Sequence, residues 1–246
     1  MKTLQSIPIS FFPILAGAVI LACAGCATTE SNASREASSG EKAAIPTKYK
    51  AGDGRVIDIG RATRTGDGLQ FKNPHLEKCW VAAGANFSDY DTLYIAPTLS
   101  TAKYQPDEKE LHEASRVKLV NELARMLKEK RVVANVVTSE SEIKPGARVL
   151  KLENTITEYS KGGGAARYFV GLYGGGQPVL RVQGKMSDAN KPVFTYEGRR
   201  SGVSAGARMT GVFMKDEDIQ NEDIHSLAID LTDFLAALAG KYQAKN

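Results

Sequence analysis

Gly202-Val203-Ser204-Ala205-Gly206 has the spacing of a nucleophile elbow, in which a serine on a sharp strand-to-helix turn attacks an acyl carbon. That chemistry needs a general base and an acid that orients it. The sole histidine after Ser204 is His225, near the start of an amphipathic stretch, and Ala207 to Phe213 has no helical apolar period. The run therefore reads first as a glycine- and serine-rich strand end, with a Ser204–His225 hydrolase as an alternative. His75, His112 and His225 each stand alone, without the i, i+4 spacing of a zinc pair. His112 and His225 fall in charged helix starts and are expected to be solvated. Asp216 and Asp218 suit a helix N-terminus without any metal. No Walker loop and no G-x-G-x-x-G is present. No catalytic residue, metal or cofactor is expected.

The thiols offer a different chemistry. Cys79 lies beside Trp80 and reads as a small buried residue. Cys23 and Cys26 close an uncharged, mostly apolar run, Ile7 to Ala22, that follows the positive start Met1-Lys2. The run is short for a membrane span and suits the core of a signal peptide. Leu21-Ala22-Cys23-Ala24-Gly25-Cys26 resembles the lipobox of bacterial lipoproteins, where a thiol receives diacylglycerol before cleavage. Ala24-Gly25-Cys26 has the small residues of that motif, and Ile20-Leu21-Ala22-Cys23 offers a second register. Cys26 is the expected site and Cys23 the alternative. Each buried methylene contributes about 0.8 kcal/mol, so two or three chains bind a bilayer almost permanently. Alanine after either cysteine implies, by the same resemblance, the periplasmic face of an outer membrane. The expected partition is a signal peptide over 1–25, a disordered tether over 26–50 and a single α/β periplasmic domain over 51–246. Removing the signal takes only Lys2 from 32 basic side chains and none of 28 acidic ones, a mild balance that argues against a nucleic-acid partner.

Seven of residues 162–176 are glycine, around an apolar and aromatic middle. A phosphate cradle would need a following helix, but Gln177-Pro178 and a strand pattern follow. The segment reads as a loop between strands. Arg167, Tyr168, Phe169, Val170, Gly171 and Tyr173 form its candidate contact surface for a second copy of the chain or an envelope protein, because such a patch is hard to leave in water. Arg167, Arg181, Lys185, Arg199, Arg200 and Arg208 motivate an alternative, the binding of an anionic envelope ligand such as lipopolysaccharide or a glycan.

The elements that position these residues follow from periodicity. Thr92 to Ala96 reads as a strand ended by Pro97. Asp107 with Glu110 suggests a capping box before a helix to about Lys130, whose apolar face carries Leu111, Ala114, Val117, Val120, Leu123, Ala124 and Leu127. Val132 to Val137 reads as a second strand, in a right-handed parallel crossover. Three antiparallel strands follow, marked by Leu150, Leu152 and Ile156, by Leu180, Val182 and Met186, and by Phe194 to Arg199. A last helix runs from about Asn221 to Tyr242. Short hairpins are expected around Val56-Ile57 and Leu69-Gln70-Phe71. The fold class is α/β, with one mixed sheet of about five strands packed by two amphipathic helices.

From Asp91 to Tyr242 the chain resembles the domain-of-unknown-function 4410 family of uncharacterised bacterial lipoproteins. The resemblance rests on Leu150-Lys151-Leu152-Glu153-Asn154-Thr155-Ile156-Thr157, Gly164-Ala165-Ala166-Arg167, Val170-Gly171, Gly174, Ser187-Asp188 and the Gly202 to Gly206 run. The element order is also similar to the periplasmic domain of the curli-secretion lipoprotein and to the amino-terminal domain of the TolB translocation protein. Lys161 to Gln177 is too short for two membrane strands of about 9–11 residues each, so this likeness implies a fold and no pore. It brings no catalytic residues. It implies a membrane-anchored, non-enzymatic accessory or scaffold of an envelope assembly.

Overall fold

A computed structural model of the chain describes residues 45–163, 176–189, 191–202 and 215–245. Residues 43–246 form one compact unit. Its long strands are β9 (Val149–Ser160), β10 (Val179–Asp188) and β11 (Lys191–Arg200), joined as an antiparallel meander. β6 (Thr92–Ile95) runs parallel both to β9 and to β8 (Asn135–Val137), as a β-α-β crossover requires. β7 (Leu99–Ser100) pairs with β9 beyond β6.

The sheet is larger than expected. β3 (Arg61–Thr65), β4 (Gly68–Lys72) and β5 (Lys78–Ala82) extend it from β11, giving nine strands among the described residues in the order β3-β4-β5-β11-β10-β9-β6-β8, with β7 beside β9. Five-residue strands carry little pattern of their own, and pairing of Phe194 with Val81 and Tyr196 with Cys79 fixes their register. A second, small sheet joins β1 (Lys48–Lys50), β2 (Val56–Asp58) and β12 (Gln243–Ala244). Lys48–Lys50, expected within the disordered tether of 26–50, are strand. Residues 26–44 lie outside the described residues.

Helices α1 (Lys109–Lys130) and α2 (Asp216–Leu238) pack on each other, and the apolar face of the sheet closes against them. Phe71, Phe194 and Phe234 meet in this core, with ring centroids 5.2 and 5.7 Å from Phe234. Three details depart from the sequence reading. The N-terminus of α1 is entered through a 3-10 turn, Pro106–Glu108, where Glu108 Oε2 accepts the Gln105 N–H at 2.7 Å, so the box is Gln105 with Glu108 rather than Asp107 with Glu110. The buried stripe of α1 is His112, Ser115, Leu119, Leu123, Ala124, Met126 and Leu127, and Val117 is 63% exposed. Helix α2 begins at Asp216, earlier than expected, and ends at Leu238.

The strand expected over Val132–Val137 is confined to β8. Arg131 takes φ of +51° and ends α1, and Val132 and Val133 enter the core before the chain straightens. Midway along β9 the register against β10 shifts, because Thr157 has no partner between Ile156 and Glu158. This bulge re-aims the strand. Before it, the even-numbered Leu150, Leu152, Asn154 and Ile156 face the core, and after it Tyr159 does.

Candidate functional site at the neck of two glycine-rich segments

Beyond the bulge, β9 ends at Ser160 and the chain enters the first glycine-rich segment. The backbone there is held by side chains from two elements and by a backbone bond across the stem. Lys161 N–H donates to Glu108 Oε1 at 2.8 Å, and Gln220 Nε2 of α2 donates to the Ser160 carbonyl at 2.8 Å. Gly163 N–H donates to the Gly176 carbonyl at 2.9 Å and closes the stem. Gly162 has φ of +75°, and a Cβ there would stand 2.4 Å from the Gly176 oxygen, so glycine is required twice over.

The second segment leaves beside the first. Gly202, at φ of +61°, lies against Gln177 and Pro178, and its N–H donates to Asp223 Oδ2 at 2.9 Å. Asp223 is buried, and burial raises its carboxyl to about 6, against the partial opposition of the Gly202 N–H and Arg200. Arg200 is itself buried: it pairs with Asp230 and donates to the His75 and Arg199 carbonyls. Successive turns of α2 therefore clamp both necks. The sequence signal for this clamp is a polar pair, Gln220 and Asp223, within an otherwise apolar stripe of Ile219, Ile224 and Leu227.

Next to the neck lies a buried histidine. His112 is 1% exposed, not solvated as its charged neighbours suggested. Its ring stacks on Tyr104 at 4.2 Å and meets Tyr159 edge-on at 4.8 Å. The β9 bulge is what brings Tyr159 there. Burial lowers the His112 pKa, and burial pushes the Tyr159 phenol up to about 12. His112 Nε2 lies 2.9 Å from Ser100 Oγ, the nearest approach to a nucleophile–base pair among the described residues. The Ser100 hydroxyl also donates to the Ile156 carbonyl and accepts the Ala102 N–H, while Glu113 stops 3.7 Å from Nδ1. Such a serine is an anchor between β7, β9 and α1.

The residues singled out by sequence distribute as follows. Cys23, Cys26, Arg167, Tyr168, Phe169, Val170, Gly171, Tyr173, Ser204 and Arg208 lie outside the described residues. His225 projects from α2 towards α1, its Nδ1 3.5 Å from Glu122. It sits two residues, about 200° of helix, from the Asp223 that touches Gly202. Cys79 is buried, and burial raises its thiol to about 12. Arg181, Lys185 and Arg199 share the helix-free face of the sheet, but interleaved with Glu77, Glu153, Glu158 and Glu197, with which they pair. This is a mixed-charge surface over a shallow groove of about 480 Å³ rather than a cationic one. Arg200 lies on the opposite face, buried. Among the described residues no group of three metal-ligating side chains gathers, and no helix is long and apolar enough to cross a membrane.

The model of the family "domain of unknown function (DUF4410)" matches residues 81–217, more than half of the chain. The chain belongs to the DUF4410 family. The match takes in the necks at Gly162, Gly176 and Gly202 and stops before Gln220 and Asp223. Comparison with curated proteins finds no match. Solved structures similar to this DUF4410 chain include a dodecamer of a PelC point variant from Paraburkholderia phytofirmans, at 16% identity and a TM-score of 0.38 over 61% of this chain and 91% of that one. A second PelC dodecamer structure from the same organism is similar at 15% identity and 0.37, over 60% and 96%. Protein XCC0632 from Xanthomonas campestris, of family DUF330, is similar at 12% and 0.35, over 61% and 86%. At these scores the likeness bears on no residue of the DUF4410 chain.

Proposed function

We propose that this chain is a lipid-anchored protein of the bacterial envelope, acylated at Cys26 and held on the periplasmic face of the outer membrane, that serves as a non-enzymatic scaffold. Its working surface is the pair of glycine-rich segments that leave the domain side by side. The observation that carries this reading is the clamped neck, where Gln220 and Asp223 of one helix fix Ser160 and Gly202 at 2.8 and 2.9 Å. A clamped base presents the two segments to a partner from neighbouring points on the domain. The apolar and aromatic run Tyr168-Phe169-Val170 is the element to be covered, by a second copy of the chain or by an envelope protein.

The test is deletion of residues 163–175 in the native protein, followed by crosslinking pull-down from intact cells and measurement of oligomeric mass. Loss of a partner, or a fall in mass with the fold retained, is the expected result. An unchanged partner set and an unchanged mass would refute the assignment.

A further inference from the structure

The corner where the chain enters its first strand breaks a rule of sheet construction twice. Residues directly opposite on neighbouring strands avoid like charge, because their side chains lie about 5 Å apart. In the small sheet Tyr49 pairs with Ala244 and Lys50 with Gln243, and the Lys245 N–H donates to the Lys48 carbonyl at 2.9 Å, so Lys245 stands opposite Lys48. Three residues after β2 ends, Arg61 stands opposite Lys72 across β3 and β4. All four side chains are exposed. None of the four, nor the neighbouring Lys50, makes an ion pair among the described residues.

One carboxylate, Asp58, lies between the two pairs, and it is engaged by the backbone of the bend. Asp58 stands opposite Lys48 on β2, but its Oδ1 accepts the Gly60 N–H at 2.8 Å and holds the bend into β3. The two like-charged pairs flank that bend, Asp58-Ile59-Gly60-Arg61, whose backbone packs directly on the Lys72 end of β4: a Cβ at Gly60 would stand 1.9 Å from the Lys72 carbonyl oxygen, and Asn73 Nδ2 donates to the Asp58 carbonyl at 3.3 Å. The same outer face of the small sheet carries Val56, opposite Lys50 and 48% exposed, while Tyr49 on the inner face is buried. Lysines around an exposed aliphatic side chain suit an interface of anionic headgroups.

We infer that this corner, Lys48, Lys245, Arg61 and Lys72 with Val56, is the face on which the domain rests against anionic phospholipid headgroups. The occupant follows from charge and from chain path. Residue 45, two residues before the backbone contact of Thr47 with Ile59, continues directly into the segment that carries Cys26. Eighteen residues lie between Cys26 and Ile45, a reach of at most roughly 60 Å when extended, so an acyl-anchored terminus keeps this corner, the first part of the domain after the anchor, within that distance of the bilayer. The inference rests on the lipid-anchor reading. Acyl chains hold the chain at the membrane, and the cations set which face of the domain turns towards it, each contributing through the negative surface potential.

Lysine footprinting of the full acylated protein tests this. The protein is reconstituted on vesicles of phosphatidylcholine alone, or with phosphatidylglycerol at three to seven, and treated briefly with an amine-acylating reagent read by mass spectrometry. Lys48, Lys72 and Lys245 are expected to be protected at least fivefold on the anionic vesicles relative to the neutral ones, and to lose that protection in 0.5 M salt. Lys144, in the turn before β9, labels equally on both. In a Lys48→Glu/Lys245→Glu variant, Lys72 loses its protection while the protein still floats with both vesicles. Flotation with both vesicles but equal labelling of the three lysines overturns the docking face and leaves the anchor standing. Flotation with neither overturns both.

Discussion

The backbone N–H of Gly202 donates to the buried carboxylate of Asp223, 2.9 Å away and 21 residues later, and this bond ties the start of the second glycine-rich segment to α2. Because burial raises the Asp223 pKa from 3.8 to about 6, the folded protein binds this proton more tightly than the unfolded chain between those values. The contribution of Asp223 to stability is therefore most favourable at low pH and declines as pH rises through about 6. Asp223→Asn keeps an acceptor for Gly202 and removes the buried charge. Its stability relative to the parent should grow by about 3 kcal/mol between pH 4 and pH 7, measured by urea unfolding across that range. An unchanged difference would place no buried charge on this bond.

His112 acts with the opposite sign. Its folded pKa lies below the ordinary 6.5 because the ring is buried between Tyr104 and Tyr159. The unfolded chain takes up the proton first as pH falls, so stability from this residue is present above about pH 6.5 and is lost on acidification. His112→Gln, which retains a polar partner for Ser100, should lower stability at pH 7.5 and flatten the loss below pH 6.5. NMR titration of the ring gives the direct readout. An apparent pKa above 6.5 would contradict the buried environment.

Much of the fold is legible in the sequence, and the gaps have physical causes. The meander of β9, β10 and β11 shows in alternation at Leu150, Leu152, Leu180, Val182 and Phe194, and the parallel unit of β6, α1 and β8 shows in its β-branched and amphipathic runs. β3 to β5 show only as a short hairpin around Leu69 to Phe71, because Thr63, Arg64 and Gln70 dilute their pattern and their order comes from docking on β11. His112 reads as solvated because charged residues on either side, Glu110 and Glu113, mark the helix start as wet, whereas its ring is covered by Tyr104 and by the Tyr159 that the β9 bulge turns inward. No local pattern announces a bulge at Thr157. The clamp of Gln220 and Asp223 is hidden for a related reason: polar residues in an apolar stripe have meaning only once the strand ends they meet are known.

Gly184 has a role set by distance alone. Tyr196 lies across its bare backbone, and the Tyr196 hydroxyl donates to Asn154 Oδ1 at 2.8 Å on the next strand. A Cβ at Gly184 would stand 2.0 Å from the ring. Because the ring is stacked on Phe194 and tethered through its hydroxyl, it has little room to move. Gly184→Ala should cost about 2–3 kcal/mol. Gly198→Ala, whose Cβ meets the rotatable Leu227 Cδ1 at 2.5 Å, should cost about 1 kcal/mol. Chemical denaturation of the two variants ranks them, and a reversed order would refute the packing described for Tyr196.

The mass of the native protein's amino terminus, measured after detergent extraction from membranes, tests the account most directly. A chain that begins at Cys26 and carries a diacylglyceryl group, with or without a further acyl chain, is the predicted species. An unmodified terminus, or recovery of the whole population in a detergent-free soluble fraction, would contradict it.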